Sequence, residues 1–303
     1  SRCQREGRGF DPLCPLQIEV IIMIIWLASY PKSGNTYLRC FLASYFFSDD
    51  GKFEFDQLLK IHQFPNLKFS KFKSESKVQA SQNWIYNQNS FFNKNDLNIV
   101  KTHNCLTPFE SNKFTTNNET LGAIYIVRDP RNVITSLTNH YSLSYEEAFN
   151  YMIDDNASLL QTSYENDFSN FTNLNSWSNH YKSWKNNTDF KTLFIKYEDF
   201  ESRKEETFLS IINFINKLKN INTNIDENKF LNSIKSTNFS NLKNKEKNEG
   251  FSESMYSQKT GKKVNFFNLG FNNRWQKILP NNIKEKIYSK FNDELVELGY
   301  LNE

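Results

Sequence analysis

Apolar residues in this chain gather into two kinds of stretch with different periods. Four short runs, IIWLA (24–28), LNIVK (97–101), GAIYIV (122–127) and TLFIK (192–196), are rich in Ile, Val, Leu and aromatics and lack clean polar alternation. A strand with one wet face alternates, whereas an unbroken run fits a strand covered on both faces, as in a parallel sheet. The second kind recurs every three or four residues. Leu38, Phe41, Leu42, Tyr45 and Phe46 fall at i, i+3, i+4, i+7 and i+8, one face of a helix. Phe208, Ile211, Ile212, Ile215 and Leu218 repeat that spacing. So do Ile283, Ile287, Phe291, Leu295 and Leu298 after Pro280, with Gly299 placed to cap the helix end. The expected fold class is therefore α/β, three layers with a central, mainly parallel sheet flanked by helices.

Polar segments 48–95, 142–190 and 243–265 read as insertions or helical lids over one end of the sheet. No linker or internal repeat divides the chain, so residues 23–303 are expected to form a single domain. Residues 1–22 differ, being rich in Arg, Gly, Pro and Cys and free of the Lys and Asn that fill the rest. They read as a non-native or disordered extension, with Met23 as the natural start.

With 303 residues the chain can bury a sizeable core, and its 16% aromatic content argues for a folded protein. A net charge of +3 is too mild for a general nucleic-acid binder, so any preference for anions is local. The longest apolar run, around residues 18–28, is too short for a membrane span and lacks the small residues of a signal-peptide cleavage site. A cytoplasmic location is expected. Cys3, Cys14, Cys40 and Cys105 show no metal-ligand spacing and read as reduced thiols, so no metal is expected.

In an open parallel sheet, ligands bind beyond the carboxyl ends of the strands, and here the chemistry follows the apolar runs. Lys32-Ser33-Gly34-Asn35-Thr36-Tyr37 follows the first run, and Lys101-Thr102-His103 closes the second. Arg128-Asp129-Pro130-Arg131 follows the third and Tyr197-Glu198-Asp199 the fourth. Gly34 permits a tight turn, and the N–H groups of a starting helix beside Lys32 make a seat for a phosphate or sulfate group. The lysine precedes the glycine, so the loop is not a Walker A loop, which needs G-x-x-x-x-G-K-[ST]. Alone, it reads equally as an ordinary turn with an exposed lysine. Arg128 offers a planar fork suited to a terminal phosphate, or else a surface pair with Asp129. His103 has the unperturbed pKa, near 6.5, of a general base at neutral pH, although a lone histidine after a strand is more often structural.

Taken in order, these segments resemble the cytosolic-type sulfotransferases, which use 3′-phosphoadenosine 5′-phosphosulfate (PAPS) as donor. YPKSGNTY (30–37) resembles their 5′-phosphosulfate loop, KTHNCL (101–106) their catalytic-histidine segment, and YIVRDPRNVITSL (125–137) their 3′-phosphate segment. LFIKYEDF (193–200), STNFSNL (236–242) and FFNLGFNNRW (266–275) follow in family order. The resemblance implies a P-loop-NTPase-like sulfotransferase fold that passes a sulfuryl group to a hydroxyl or amine, leaving 3′-phosphoadenosine 5′-phosphate (PAP). It implies catalytic roles for His103, Lys32, Lys101 and Ser136, with Ser136 restraining Lys32 until acceptor arrives. It implies donor binding by Lys32, Ser33, Gly34, Asn35, Thr36, Arg128, Ser136 and Gly270. Tyr37 and Phe239 would stack on adenine while Tyr197 and Thr237 make polar contacts; Tyr37 serves equally well as a core residue.

One departure weakens the match. The family's Arg-Lys before the late glycine is replaced by Asn268-Leu269, and Lys262, Lys263 or Arg274 would have to compensate. A catalytically silent nucleotide- or partner-binding protein of the same fold is thus the alternative. The acceptor, a small molecule, lipid or glycan, and the oligomeric state stay open; the aromatic segments 84–92 and 141–151 line its pocket or belong to the core.

Overall fold

A computed structural model describes residues 23–92, 96–160, 166–222, 224–256 and 261–301. The extension expected at residues 1–22, with Cys3 and Cys14, lies outside the described residues. All four expected strands form: β1 (Ile24–Ser29), β3 (Asn98–Thr102), β4 (Thr120–Val127) and β5 (Thr192–Lys196). A two-residue edge strand, β2 (His62–Gln63), is too short to leave a pattern in the sequence. The five make one sheet in the order β2-β3-β1-β4-β5, and every pairing is parallel.

The unbroken apolar runs have a simple cause. Within β1, Trp26 and Ala28 join one core cluster while Ile25 and Leu27 join the other, and both faces are fully buried. The principal helices are α1 (Asn35–Phe47), α2 (Pro130–Tyr141), α3 (Trp177–Lys185), α4 (Lys204–Leu218), α5 (Phe239–Glu249) and α6 (Asn281–Glu297). On the Trp26 side, α2 brings Val133, Ile134 and Leu137, and α6 brings Ile283 and Ile287. On the Ile25 side, Phe41 of α1 stacks on Phe208 of α4 with ring centroids 3.8 Å apart. Each such side chain taken fully out of water contributes about 1.5–3 kcal/mol, which is what holds the three layers together. Gly299 takes a left-handed conformation (φ 64°) after α6, the expected helix end.

One expectation is corrected. Segment 142–190 is not only a lid: Trp177, Tyr181 and Trp184 of α3 are buried in the layer beside β4. Its apolar positions are three large aromatics set among Asn, Ser and Lys, so the helix looks polar although its inward face is not.

In register, Ala28 lies opposite Thr102 and Tyr125, and Val127 lies opposite Lys196. Parallel pairing therefore delivers the turn after β1, His103, Arg128 and Tyr197 to the same edge of the sheet.

Candidate active site

The turn from β1 into α1 is bent by two left-handed residues, Lys32 (φ 66°) and Gly34 (φ 99°). A β-carbon on Gly34 would lie 2.3 Å from Cδ2 of Tyr197, so glycine is required for both conformation and space. Asn35 ties the turn to its strand by donating to Leu27 O at 2.8 Å. The start of α1 has no side-chain cap, and a helix start of this kind favours an anion through its free N–H groups and dipole. Gly34→Ala is expected to lower stability by about 2–4 kcal/mol in denaturant unfolding; a loss below about 0.5 kcal/mol would show that the turn does not depend on this contact.

A cavity of about 920 Å³ opens at this edge of the sheet. Every residue expected at the site lines it except Ser33 and Thr237. Ser33 is buried, and its hydroxyl has no partner. Thr237 is buried and spends its hydroxyl on Ser233 O at 2.6 Å. From segment 141–151, Tyr141 lines the cavity; Trp84 of segment 84–92 lies in the core instead.

His103 is held from two directions. Its Nδ1 lies 2.7 Å from Ser29 O, and a carbonyl can only accept, so Nδ1 carries the proton and Nε2 the lone pair. Its own carbonyl accepts from His180 Nε2 at 2.9 Å, while Tyr125 OH donates to His180 Nδ1 at 2.8 Å. Trp184 Nε1 donates to the next carbonyl, Asn104 O, at 3.1 Å. Helix α3 thus fixes the backbone that presents the imidazole. Burial, with the positive charge of Lys101, lowers the His103 pKa to about 3, well below the unperturbed value expected from the sequence.

Two lysines share the wall. Burial lowers Lys32 to about 7, and its ammonium sits 4.1 Å from the centre of the Phe266 ring. Burial also lowers Lys101, partly opposed by Glu253, whose Oε2 is 3.3 Å from its Nζ.

Arg128 donates to Lys32 O at 2.9 Å and to Ser136 Oγ at 3.1 Å, and its guanidinium lies 4.2 Å over the Tyr197 ring. The alternative surface pair with Asp129 does not form. Asp129 instead caps α2 by accepting from Arg131 N, and binds the Arg131 guanidinium at 2.8 Å. Ser136, expected to restrain Lys32, is engaged by Arg128 and by Asn273 Nδ2 at 3.1 Å. Tyr37 meets the ring of Phe271 edge-on at 5.9 Å, and Tyr197 stacks on that same ring at 5.1 Å. Phe239 lies against Gly270, where a β-carbon would come within 2.5 Å of its ring.

At the late departure from the family pattern, Asn268 O accepts from Lys243 Nζ at 3.0 Å. Lys243, from α5, thus stands there, while Arg274 lies 3.9 Å from Glu201 and is 60% exposed. Sequence reasoning missed Lys243, Asn273, Glu253 and a second cavity imidazole, His140, which burial and Lys32 lower to about 3. Lys243, Glu253 and His140 carry no local signal, because the fold brings them in from the helix at 130–141 and the polar stretch after residue 238, and Asn273 stands inside FFNLGFNNRW with nothing in that string to mark it out.

The fold and the cavity define an α/β protein with a cationic, imidazole-bearing pocket at the carboxyl edge of a parallel sheet. The sequence matches the sulfotransferase domain family over residues 24–297, and the chain belongs to that family. No curated protein matches it significantly. Among solved structures it is similar to retinol dehydratase in complex with androsterone and the inactive cofactor PAP. The two are 16% identical, with 90% of this chain and 80% of that chain covered and a TM-score of 0.58. Retinol dehydratase with retinol and PAP gives 16% identity, 90% and 81% coverage and a TM-score of 0.57. Mouse sulfotransferase SULT7A1 with PAP gives 17%, 90% and 84%, and 0.53. At such identities the likeness establishes the fold. Among the described residues no helix is long and apolar enough to cross a membrane, and no cluster of His, Cys, Asp and Glu is placed to hold a metal ion.

Proposed function

We propose that this protein transfers a sulfuryl group from PAPS to a hydroxyl or amine of a small-molecule, lipid or glycan acceptor. The observation that carries the reading is the orientation of His103, with Nδ1–H spent on Ser29 O and Nε2 left as a base in the wall shared with Lys32 and Lys101.

The residues fit the donor. Ser33 Oγ, Asn35 Oδ1 and Arg128 Nε are buried polar atoms without a protein partner, gathered around the turn and Arg128. Buried groups of this kind are costly unless a ligand satisfies them. Lys32, Thr36 and the loop N–H groups would hold the 5′ end, and Arg128 with Ser136 the 3′-phosphate. Tyr37, Tyr197 and Phe239 would take the adenine, with Lys243 supplying charge beside Asn268. Bound there, PAPS would supply the sulfuryl group, which passes in line to the acceptor oxygen or nitrogen as its bond to the 5′-phosphate breaks. His103 Nε2 takes the proton from the attacking group, and Lys32 meets the negative charge that builds on the leaving oxygen. Pro31, Pro65, Tyr141, Leu159 and Leu160 give the acceptor side an apolar lining. The two described cysteines, Cys40 and Cys105, are buried and unpaired, which accords with the reducing cytoplasm we assign to it.

Thermal unfolding with added nucleotide tests the reading. PAP is expected to raise the melting temperature by several degrees while ATP, at the same concentration, does not. Equal shifts from the two nucleotides would overturn it.

A further inference from the structure

Glu253 lies between α5 and the short strand Met255–Tyr256, in the stretch that carries no pattern. Its carboxylate is the meeting point of three donors from two elements, α1 and β3. Thr36 Oγ1 donates at 2.9 Å from the first turn of α1, and Lys101 Nζ lies at 3.3 Å at the end of β3. Arg39 Nη1, one turn further along α1, makes the third contact. Arg39 does not owe its place to Glu253, because Nη2 also donates to Ile61 O at 2.9 Å and its Nε is buried without a partner. The three donors form a prebuilt seat for an oxyanion, and a carboxylate of the protein itself sits in it.

We infer that Glu253 is a built-in competitor for the donor's anionic group, occupying the seat formed by Thr36, Arg39 and Lys101 until donor displaces it. The inference rests on the donor reading above and adds Arg39 to the residues that receive the sulfated 5′ end. Two anions cannot share these donors without strong repulsion, so the carboxylate leaves as the phosphate or sulfo group arrives. Burial alone would raise the Glu253 carboxyl, but Lys101 and Arg39 beside it hold it well below the usual carboxylate range. It is therefore charged whenever the protein is folded at working pH. For the carboxylate to leave, only the short stretch between two anchors has to turn: Gly250, at φ 79°, ends α5, Phe251 is buried and Ser254 is held by Glu246, while Ser252, Met255 and Tyr256 are exposed. Donor binding then carries the cost of emptying the seat, which lowers apparent affinity by the fraction of time that the seat is free.

The test compares wild type with Glu253→Gln, which keeps the shape and removes the charge, by calorimetric titration with PAP and with adenosine 3′-monophosphate. The variant is expected to bind PAP about tenfold more tightly, with no gain for the monophosphate, which lacks the 5′ anion. Unchanged or weaker PAP binding, or an equal gain for both nucleotides, would overturn the proposal. If neither protein binds PAP, the donor reading fails on its own account and sulfate becomes the probe. Tighter sulfate binding by the variant then supports the seat, and equal binding overturns it. Should the glutamine variant not fold, Glu253→Asp, which shortens the arm, is expected to gain part of the PAP affinity; no gain would overturn the competition.

Discussion

Replacing His103 with alanine is expected to lower sulfuryl transfer by about 10²–10⁴-fold, the usual worth of a positioned general base, while PAP binding stays within about twofold. The measurement is release of PAP from PAPS, with water alone and with a panel of phenols, alcohols and amines. His103→Asn sharpens it. Its amide can still donate to Ser29 O in the place of Nδ1, but it offers no Nε2, so an intact site without a base should be as inactive as the alanine variant. Turnover unchanged in both variants would remove His103 from the chemistry, whereas no transfer to any acceptor by the wild type, with no change on His103→Ala, would leave the catalytically silent alternative standing. The lowered pKa of His103 adds a second expectation. An imidazole with pKa about 3 is already neutral across the working range, so turnover should show no fall between pH 7 and 5 from this group. Stability, by contrast, does depend on this group. The unfolded chain takes up a proton near pH 6.5 and the folded one only near 3, so stability is lost progressively as pH falls between those values.

What was legible in the sequence, and what was not, follows from how local each signal is. The strands of the inner sheet could be read because both of their faces are buried, which leaves runs such as Ile24–Ser29 with nothing polar to interrupt them. The residues that follow them could be read for the same reason, since parallel strands carry their loops to one edge. Helix α3 hid because Trp177, Tyr181 and Trp184 are diluted by polar neighbours, and β2 because two residues have no period. Glu253 could not be found at all. It lies 152 positions from Lys101 and 217 from Thr36, in a stretch with no periodicity, and only the closed fold makes it a neighbour. The lowered pKa of His103 was not legible for another reason. Residue type fixes the reference pKa, but the low-dielectric wall and a nearby ammonium decide the actual one, and neither is visible in a one-dimensional string.

Loss of the Lys32 ammonium is expected to cost turnover almost as much as loss of the His103 imidazole. Lys32→Met keeps the length of the side chain and removes the ammonium that would meet charge on the leaving oxygen. A loss of about 10²–10³-fold in turnover is expected, comparable to deleting one transition-state donor elsewhere. Burial holds Lys32 at about 7 in the free protein against about 10.5 in an unfolded chain, so folding releases its proton between those values. An arriving sulfate or phosphate favours the charged form, so binding takes that proton back. PAP affinity should therefore weaken as pH rises above 7, by up to about tenfold per unit while one proton is taken up. The opposite holds for the free fold, which gains stability as pH climbs from 7 towards 10.5, because the unfolded chain then loses its hold on the same proton. Titrating PAP at several pH values separates Lys32 from Lys101, which burial also lowers. Lys32→Met should bind weakly and with a flattened pH dependence. If the slope survives intact in that variant, the proton belongs to another group, and Lys32 is a buried amine against Phe266 with no part in holding the donor.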